Sequence, residues 1–428
     1  MLVTKTTTTT TTTRLALLLL RLAVATLLFH SALAFTRAPL SFFTMMRRSS
    51  SLGEESNHDY FRHSQSTKSW HAITTNTNDT TTSADEPLLT FGVLSDIQFA
   101  PIPDGHSYSG IPRYYRHALT AAKHAAQHFE TNKVALVLNL GDVIDGKCQA
   151  IRQHGGGDAI SEHVNPGIHA VERALESLSH YTHGPILHTY GNHELYNCDR
   201  QVLQEMLNIP FVKEPCGELV GYSSHVFNND VRFVILDSYD VSLLQRCHNS
   251  LKYKTACAIL QKHNPNYPHQ ENSPEGMEGL NKRFVAFNGS VGDLQLKWLK
   301  ATLQEARDAN EKVVIASHQP ILPESSNPVC LMWNYHNVLT ILREYADVVV
   351  VSLSGHAHKG GYERDAESGI HFRVIEAVLE SPSPIVTFGT VDVFEDRLVL
   401  TGFGDCTSAV YDFDHCCLEA KKMANATL

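Results

Sequence analysis

The sequence predicts an α/β fold in which buried strands alternate with helices. Apolar runs such as V-A-L-V-L-N-L (134–140) are typical of strands buried on both faces of a sheet. Segments with helical periodicity, such as H-A-L-T-A-A-K-H-A-A-Q-H-F (117–129), separate these runs. Several runs end in polar side chains, and open α/β sheets place their sites at the carboxyl ends of strands. We therefore expect these polar side chains to form one functional site at the carboxyl edge of the sheet.

Length and composition are those of a globular protein with a substantial core. The chain has 428 residues, of which 43% are hydrophobic and 19% are charged. This length suits two or three average domains, or one large α/β domain. The net charge of −10 argues against nonspecific nucleic-acid binding, which needs a basic surface. The nine cysteines contain no C-x-x-C pair, so neither a zinc ribbon nor a thioredoxin-like redox site is indicated.

The N-terminus predicts a signal peptide that spans residues 1–34. Basic residues precede an apolar run, which is followed by A-L-A at 32–34, the pattern of a cleavable signal. The alternative is a membrane anchor, but Arg21 interrupts the run and leaves it shorter than the roughly 20 residues that a span requires. We expect entry into the secretory route and no stable membrane span after processing.

Residues 35–87 predict a transit peptide followed by a polar linker without a core. Phe35 heads a segment rich in Arg, Ser and Thr, which resembles the bipartite presequence of algae with secondary plastids. Plastid import is the expectation, and secretion or an endomembrane lumen is the alternative. Asn78, Asn288 and Asn425 begin N-x-S/T sequences, which accept glycans only if the chain stays in the secretory route.

Three strands in the first half of the chain end in metal-capable side chains. The first, L-L-T-F-G-V-L-S-D-I-Q, ends in Asp96 and Gln98, which point the same way from an extended chain. The central strand ends in Asp142, and a third, P-I-L-H-T-Y, leads to Asn192. A carboxylate at the end of a buried strand is costly unless a cation meets it. We therefore interpret Asp142 as a metal ligand that two metals could share.

The segments between these strands predict helices and one loop. R-Y-Y-R begins the alanine-rich helix, and Arg113 and Arg116 are either solvated helix-start residues or phosphate-binding residues. G-G-G-D (155–158) lacks the Gly-Lys-Ser/Thr ending of a nucleotide P-loop and predicts a flexible connection. I-H-A-V-E-R-A-L-E-S-L (168–178) predicts an amphipathic helix.

The second half of the chain predicts a further portion of sheet. S-H-V-F-N-N-D-V-R-F-V-I-L-D is typical of a hairpin that turns at residues 228–230. Residues 240–290 predict an irregular insertion over one face. A strand, K-V-V-I-A-S-H-Q-P, ends in His318, and A-D-V-V-V-V-S-L-S-G-H-A-H finishes in His356 and His358. Helices are predicted at L-Q-L-K-W-L-K-A-T-L-Q-E-A and W-N-Y-H-N-V-L-T-I-L-R-E-Y.

The ordered motifs S-D-I-Q, L-G-D-V-I-D-G, G-N-H-E, S-H-Q-P and G-H-A-H resemble those of the calcineurin-like metallophosphoesterases. A closer resemblance is to the manganese-dependent ADP-ribose/CDP-alcohol diphosphatases, carried by D-I-Q, R-Y-Y-R, V-A-F-N-G-S-V-G and G-H-A-H-K-G-G-Y. The resemblance implies a four-layer αββα sandwich over residues 88–412, with two mixed β-sheets flanked by helices and a dinuclear metal site at the strand ends. Residues 413–428 would then form a C-terminal tail.

The resemblance also implies a role for each site residue. One metal would be held by Asp96, Gln98, Asp142 and His358, and the other by Asp142, Asn192, His318 and His356. His193 would be the general acid near the leaving group, with Asp145 and Glu194 as supporting partners. The amide oxygen of Gln98, where the superfamily usually has histidine, favours Mn²⁺, with Mg²⁺, Zn²⁺ and Fe as alternatives.

The predicted reaction is hydrolysis of the diphosphate bond of ADP-ribose, CDP-choline or CDP-glycerol to AMP or CMP and a phosphorylated product. Two close cations lower the pKa of a bridging water, and the resulting hydroxide attacks phosphorus. Tyr108 is the candidate for stacking on the base. Arg113, Arg116 and the loop that contains Cys330 and Asn334 are the other candidates for the substrate pocket.

Other functions on this fold remain as alternatives. Protein serine/threonine phosphatases have arginine directly after the second aspartate, where this chain has Gly146 after Asp145. Purple acid phosphatases require a tyrosine ligand where this chain has Asp145. A cyclic-nucleotide phosphodiesterase or another phosphomonoesterase stays open. A non-catalytic scaffold would be expected to lack ligands, whereas all seven expected positions are filled here.

Overall fold

Two six-stranded β-sheets form the centre of the computed structural model, which describes residues 86–150, 165–228 and 230–413. The strands are β1 (Leu89–Leu94), β2 (Gly105–His106), β3 (Pro112–Arg113), β4 (Leu136–Asn139), β5 (Ile186–His188), β6 (Val212–Lys213), β7 (Leu219–Val220), β8 (Ser223–Phe227), β9 (Val231–Ile235), β10 (Lys312–Ser317), β11 (Val349–Ser354), β12 (Gly361–Arg364), β13 (His371–Val374), β14 (Phe388–Val393), β15 (Arg397–Phe403) and β16 (Ala409–Asp412). The helices are α1 (His117–Thr131), α2 (Pro166–Leu178), α3 (Asn192–Asn197), α4 (Arg200–Met206), α5 (Leu251–His263), α6 (Asp293–Ala309) and α7 (Tyr335–Glu344).

The first sheet has the order β16-β15-β14-β1-β4-β5. Strands β1, β4 and β5 are parallel to one another, so their carboxyl ends share one edge. Strand β14 pairs antiparallel with β1 and makes the sheet mixed. The three strand ends that the sequence singles out therefore lie next to one another.

The second sheet has the order β12-β13-β11-β10-β9-β8. Strands β9, β10, β11 and β13 form its parallel centre. The predicted hairpin is present as the antiparallel pair β8 and β9. The two strands that lead to the predicted histidine ligands, β10 and β11, are adjacent and parallel, so their carboxyl ends also meet at one edge.

Three buried apolar clusters show that the sheets and helices form four layers. One cluster joins the alanine face of α1 and residues of α2 to the first sheet. A second contains Phe91 of β1 and Phe233 of β9, whose rings lie 5.1 Å apart, and fills the space between the sheets. A third packs α6 and α7 against the outer face of the second sheet. The predicted αββα sandwich is confirmed.

The insertion at residues 240–290 is more ordered than the sequence predicts. It contains the helix α5, whose first turn is capped by Ser250 through its bond to the backbone N–H of Tyr253 (3.2 Å). Only Ala256 and Leu260 of this helix are buried, so its apolar periodicity is too weak to be recognised in the sequence. The prediction of an irregular segment was wrong for residues 251–263.

Several predictions concern residues outside these ranges. The signal peptide at 1–34, the linker up to residue 85, the G-G-G-D loop at 155–158 and residues 414–428 of the tail lie outside the described residues. The domain limits therefore stay predictions. No helix within the three described ranges is long and apolar enough to cross a membrane.

Candidate metal centre

The predicted ligands converge where the carboxyl ends of five strands meet. Four of them, Asp96, Gln98, Asp142 and His356, have a left-handed backbone with φ between 43° and 67°. Non-glycine residues rarely adopt this conformation, and they do so mostly at functional sites, where the surrounding structure enforces it. The backbone is thus shaped to turn these side chains toward a common point.

Asp142 is at the centre of this group and is only 1% exposed. Its Oδ1 accepts the backbone N–H of His193 over 2.9 Å, and its Oδ2 lies 3.3 Å from Nε2 of His318. Burial alone would raise the pKa of Asp142, but the positive charges of His318 and His193 hold that pKa far below its ordinary value. The carboxylate is therefore ionised at neutral pH.

His318 and His356 present ring nitrogens to Asp142. Nδ1 of His318 bonds to the carbonyl of Leu140 over 2.7 Å, which leaves Nε2 facing the carboxylate. Nδ1 of His356 lies 3.1 Å from that Nε2. One ligand atom from each of Asp142, His318 and His356 lies within 4.8 Å of the others. This spacing suits a shared metal ion.

The pKa values of the two histidines are separated by their surroundings. Burial opposes the charge on His318, yet Asp142 raises its pKa to about 9. Burial and the neighbouring His318 lower the pKa of His356 to about 3. Without a cation, protonated His318 balances the negative charge of Asp142, and His356 stays neutral.

Asp96, His358 and Gln98 form a second group beside Asp142. Nε2 of His358 lies 3.4 Å from Oδ1 of Asp96, a buried atom that has no hydrogen-bond partner. Gln98 directs Nε2 to Asp142 Oδ2 (3.0 Å) and His358 Nε2 (2.9 Å), while Arg113 donates to its Oε1 over 3.2 Å. Ligation by Gln98 therefore requires its amide to turn over.

Asn192 completes the set next to Asp142. It is buried at the start of α3, and its Oδ1 accepts the hydroxyl of Tyr239 over 3.2 Å. Asp142 lies beside Gln98 on one side and His318 on the other, so it links the two groups of predicted ligands. Two buried carboxylates, an unpartnered carboxylate oxygen, imidazoles and amides are the donors expected for divalent ions of the Mn²⁺ type. The residues fit a dinuclear centre.

His193 lies at the edge of this group with one face open to solvent. Its Nδ1 accepts the backbone N–H of Gly146 over 2.6 Å and lies 3.6 Å from Oδ2 of Asp145. Its Nε2 lies 3.8 Å from Oδ2 of Asp142. The ring thus lies between the carboxylates of Asp142 and Asp145.

Glu194 supports the site from behind, as predicted. Its side chain accepts the backbone N–H groups of Val143 and Gly191, the latter over 3.1 Å, and so joins the loops that follow β4 and β5. Burial and the nearby Asp142 raise the pKa of Glu194 to about 8. A Cβ atom at Gly191 would lie 2.0 Å from Oδ1 of Asp142, so only glycine allows the two loops to approach this closely.

An open pocket of about 1470 Å³ lies in front of the metal-ligand residues. Its walls include Tyr108, Arg113, Cys330, Lys359 and residues 269–277 of the insertion. The pocket is larger than the 300–1,000 Å³ typical of small-molecule sites and can hold an extended ligand.

Two predicted pocket residues lie elsewhere. Arg116 is exposed at the N-cap of α1 and is not part of the pocket wall. Asn334 is also absent from this wall, since its amide makes a pair of hydrogen bonds with the backbone of Val291 at 2.8 and 3.1 Å. Both predictions are corrected.

Three supporting residues were not predicted from the sequence. Tyr239 contacts Asn192, Glu380 bonds to Nδ1 of His358 over 2.9 Å, and Asn288 bonds to Nε2 of His356 over 2.9 Å. They come from segments without regular periodicity, and only the V-A-F-N-G-S-V-G motif around Asn288 carried a sequence signal.

Comparison with known proteins supports the same assignment. Residues 89–360 match the family described as Calcineurin-like phosphoesterase. A protein from Oryza sativa subsp. japonica is 37% identical over 328 residues, which cover 75% of this chain and 92% of that protein. A protein from Homo sapiens is 35% identical over 346 residues, covering 77% of this chain and 94% of that protein. Both are named manganese-dependent ADP-ribose/CDP-alcohol diphosphatase.

A solved structure shows the same arrangement of the chain. The crystal structure of a dimetal phosphatase from Danio rerio superposes with a TM-score of 0.69 and 31% sequence identity. The match covers 77% of this chain and all of that one. The predicted resemblance is confirmed, and the chain belongs to the calcineurin-like phosphoesterase family.

Proposed function

We propose that the protein is a Mn²⁺-dependent hydrolase that cleaves the diphosphate bond of ADP-ribose and CDP-alcohols, releasing AMP or CMP and a phosphorylated product. The observation that carries this proposal is the group of Asp142, His318 and His356, whose ligand atoms lie within 4.8 Å of one another beside a large pocket. The relatives that bear this activity in their names match about three quarters of the chain.

The metal-holding residues form the two groups that share Asp142. One ion would lie among Asp96, Gln98, Asp142 and His358, and the other among Asp142, Asn192, His318 and His356. When bound, two divalent cations activate water and neutralise charge on the phosphoryl oxygens. The excess of negative charge on the buried carboxylates is what makes this position favourable for cations.

His193 is the residue that we assign to proton transfer. Its Nδ1 is held by Gly146 and faces Asp145, so Nε2 is the nitrogen left to point into the site. In this role the ring, protonated at both nitrogens and with Nδ1 donating to Asp145 instead of accepting from Gly146, would give its Nε2 proton to the leaving oxygen. Asp145 orients the ring and balances its charge, with Oδ2 3.6 Å from Nδ1.

The pocket wall supplies contacts for the rest of a nucleotide diphosphate. Tyr108 is fully exposed on the loop between β2 and β3 and offers its ring for stacking on a base. Arg113 also lines the pocket, next to Gln98 and Asp145, where a guanidinium can bind a phosphate oxygen. These two residues remain our candidates for substrate binding.

A hydrolysis panel with Mn²⁺ at neutral pH tests the proposal. It contains ADP-ribose, CDP-choline, CDP-glycerol, a phosphopeptide and 2′,3′-cAMP. We expect AMP or CMP from the first three. Turnover of the phosphopeptide alone would contradict the diphosphatase assignment, and turnover of 2′,3′-cAMP alone would favour a cyclic-nucleotide phosphodiesterase.

We further propose that the protein enters the secretory route and is imported into a plastid through its first 87 residues. The signal pattern up to Ala34 and the Phe35-headed segment support this. Sequencing the mature N-terminus tests the proposal. An end at Met1 would refute targeting, an end near Phe35 would favour secretion, and one further along the chain would favour import.

A further inference from the structure

Asn288 is a fully buried residue at the end of the insertion, and its amide has only one possible orientation. Nδ2 donates to the backbone carbonyls of Arg283 (2.9 Å), Val329 (2.7 Å) and Leu331 (3.2 Å). An amide turned the other way would direct its oxygen at three carbonyl oxygens. Because oxygens without protons cannot bond to one another, the NH₂ end must face these carbonyls.

The opposite end of this amide determines the state of a predicted metal ligand. Oδ1 of Asn288 lies 2.9 Å from Nε2 of His356. An amide oxygen only accepts hydrogen bonds, so Nε2 of His356 must carry the proton. The lone pair of the neutral ring is then on Nδ1, which lies 3.1 Å from Nε2 of His318 in the group around Asp142.

We propose that Asn288 is a positioning residue of the metal centre, which fixes the tautomer and the ring orientation of His356 so that Nδ1 is presented to the metal. This inference rests on the proposed dinuclear site. A hydrogen bond from the second nitrogen of a ligating histidine is a general means of fixing its tautomer. Here it comes from the insertion, so a segment outside the strand-end motifs contributes to metal binding.

The same contacts of Asn288 bear on whether it can be glycosylated. Asn288 begins an N-G-S sequence, yet it is 0% exposed and its Nδ2 is enclosed by carbonyl groups. A glycan cannot be attached there without breaking the support of His356. Asn288 is therefore not a glycosylation site in the folded protein, even in the secretory route.

Asn264 offers a matched control for the structural part of this role. It is also a buried asparagine of the insertion, and its Nδ2 donates to the carbonyls of Glu271 and Phe284, both over 2.9 Å. Its Oδ1 accepts the backbone N–H of Asn266 rather than a histidine. Asn264→Ala thus removes comparable bonds to the insertion without touching a predicted ligand.

The experiment measures Mn²⁺ binding to the full-length protein, by paramagnetic resonance of the free ion, together with thermal stability. We expect Asn288→Ala to weaken Mn²⁺ affinity by about 10- to 100-fold, as is usual for such supporting residues. Asn264→Ala should lose stability but keep the Mn²⁺ affinity. Asn288→Asp keeps an acceptor for His356 while repelling the three carbonyls, so it should lose stability yet bind Mn²⁺ more tightly than Asn288→Ala.

A double-mutant cycle with His356→Ala shows whether Asn288 acts through the histidine. If it does, Asn288→Ala causes no additional loss of Mn²⁺ affinity once His356 is gone. An equal loss in both backgrounds, or Mn²⁺ affinities that follow thermal stability across all variants, would overturn the inference. Failure of the unmodified protein to bind Mn²⁺ would instead refute the proposed metal centre, so the two failures are distinguishable.

Discussion

The backbone N–H of Gly146 donates a hydrogen bond to Nδ1 of His193 over 2.6 Å. A Cβ atom at position 146 would lie 3.3 Å from the same Nδ1 and 3.0 Å from Cδ2 of Tyr196. Glycine therefore leaves the space in which the imidazole packs against the loop after β4. A side chain at this position would meet both rings at its Cβ atom, which gives a physical reason for glycine here.

Gly146→Ala should lower kcat because the added methyl group displaces the imidazole of His193. A shift of a few tenths of an ångström to 1 Å in a catalytic group costs up to about 100-fold in rate, so we expect a decrease of about 10- to 100-fold. KM and Mn²⁺ affinity should change little. Gly105→Ala is the control, since its Cβ would contact only Tyr115 at an ordinary 3.6 Å. Full activity of Gly146→Ala would contradict the role of His193.

Asp142→Asn should abolish turnover and Mn²⁺ binding while the protein stays folded. Asparagine has the same shape and still accepts the N–H of His193 through Oδ1, but it removes the charge that both metals share. We expect a loss in kcat of at least about 10³-fold. Asp145→Asn, the comparison variant, should lower kcat yet bind Mn²⁺ normally. Steady-state kinetics and a Mn²⁺ titration check both, and an active Asp142→Asn enzyme would remove the dinuclear mechanism.

Glu380→Gln should weaken Mn²⁺ binding because the carboxylate of Glu380 orients His358. Oε1 lies 2.9 Å from Nδ1 of the ring, so Nε2 is left to face Asp96. Loss of such a partner typically reduces metal affinity by about 10- to 100-fold. Lys359→Met is the control, since Nζ of Lys359 also contacts Glu380 (3.5 Å) but is largely exposed and contributes little. Equal Mn²⁺ affinities in Glu380→Gln and the unmodified protein would exclude this role.

The strand ends of the site were predictable from the sequence because each combines burial with an unexpected polar residue. Asp96, Asp142 and His318 each follow an apolar run after one intervening residue, and parallel strands bring such ends together without any knowledge of loop structure. The division of these strands into two packed sheets was instead implied by the family resemblance. Regular periodicity, and not the strength of any single motif, made these elements recognisable.

The remaining contacts depend on irregular segments whose path no local pattern specifies. Glu380 reaches His358 from a 3₁₀ turn at Val378–Glu380, which is fixed by backbone bonds from Val378 to Ser95 and from Leu379 to Asp96, both 3.1 Å. The separation of Glu380 and His358 along the sequence gave no indication of this contact. Asn334 was expected in the substrate pocket because it lies in a loop near a ligand in the sequence. Such a residue need not face the pocket, and the amide of Asn334 bonds to Val291 instead.

Stability should fall in acid because His188 is buried as a neutral ring. Burial lowers the pKa of His188 to about 4, below its ordinary value of 6.5. Between these two pH values the unfolded chain binds the proton and the folded protein does not, so stability decreases as pH falls from 6.5 toward 4. The loss reaches about 3 kcal/mol at roughly 1.4 kcal/mol per pKa unit.

His188→Leu should flatten this pH dependence, because it removes the titrating ring from strand β5. Thermal unfolding of both proteins from pH 8 to pH 4 measures the difference in slope, which is independent of any change in packing at neutral pH. His180→Leu, at an exposed position after α2, serves as the control and should keep the original slope. An unchanged slope in His188→Leu would show that other groups cause the acid sensitivity.

Tyr108→Ala should raise KM for ADP-ribose because the fully exposed ring stacks on the base only when substrate is bound. An aromatic pair contributes about 0.5–1.5 kcal/mol beyond its buried area, which corresponds to an increase in KM of about 2- to 10-fold. Since the ring is proposed to act only in binding the base, kcat should stay constant. Tyr108→Phe keeps the ring and should restore KM. The control is Phe211→Ala, which removes an exposed ring outside the pocket wall and should have no effect. A fall in kcat without a change in KM for Tyr108→Ala would exclude base stacking.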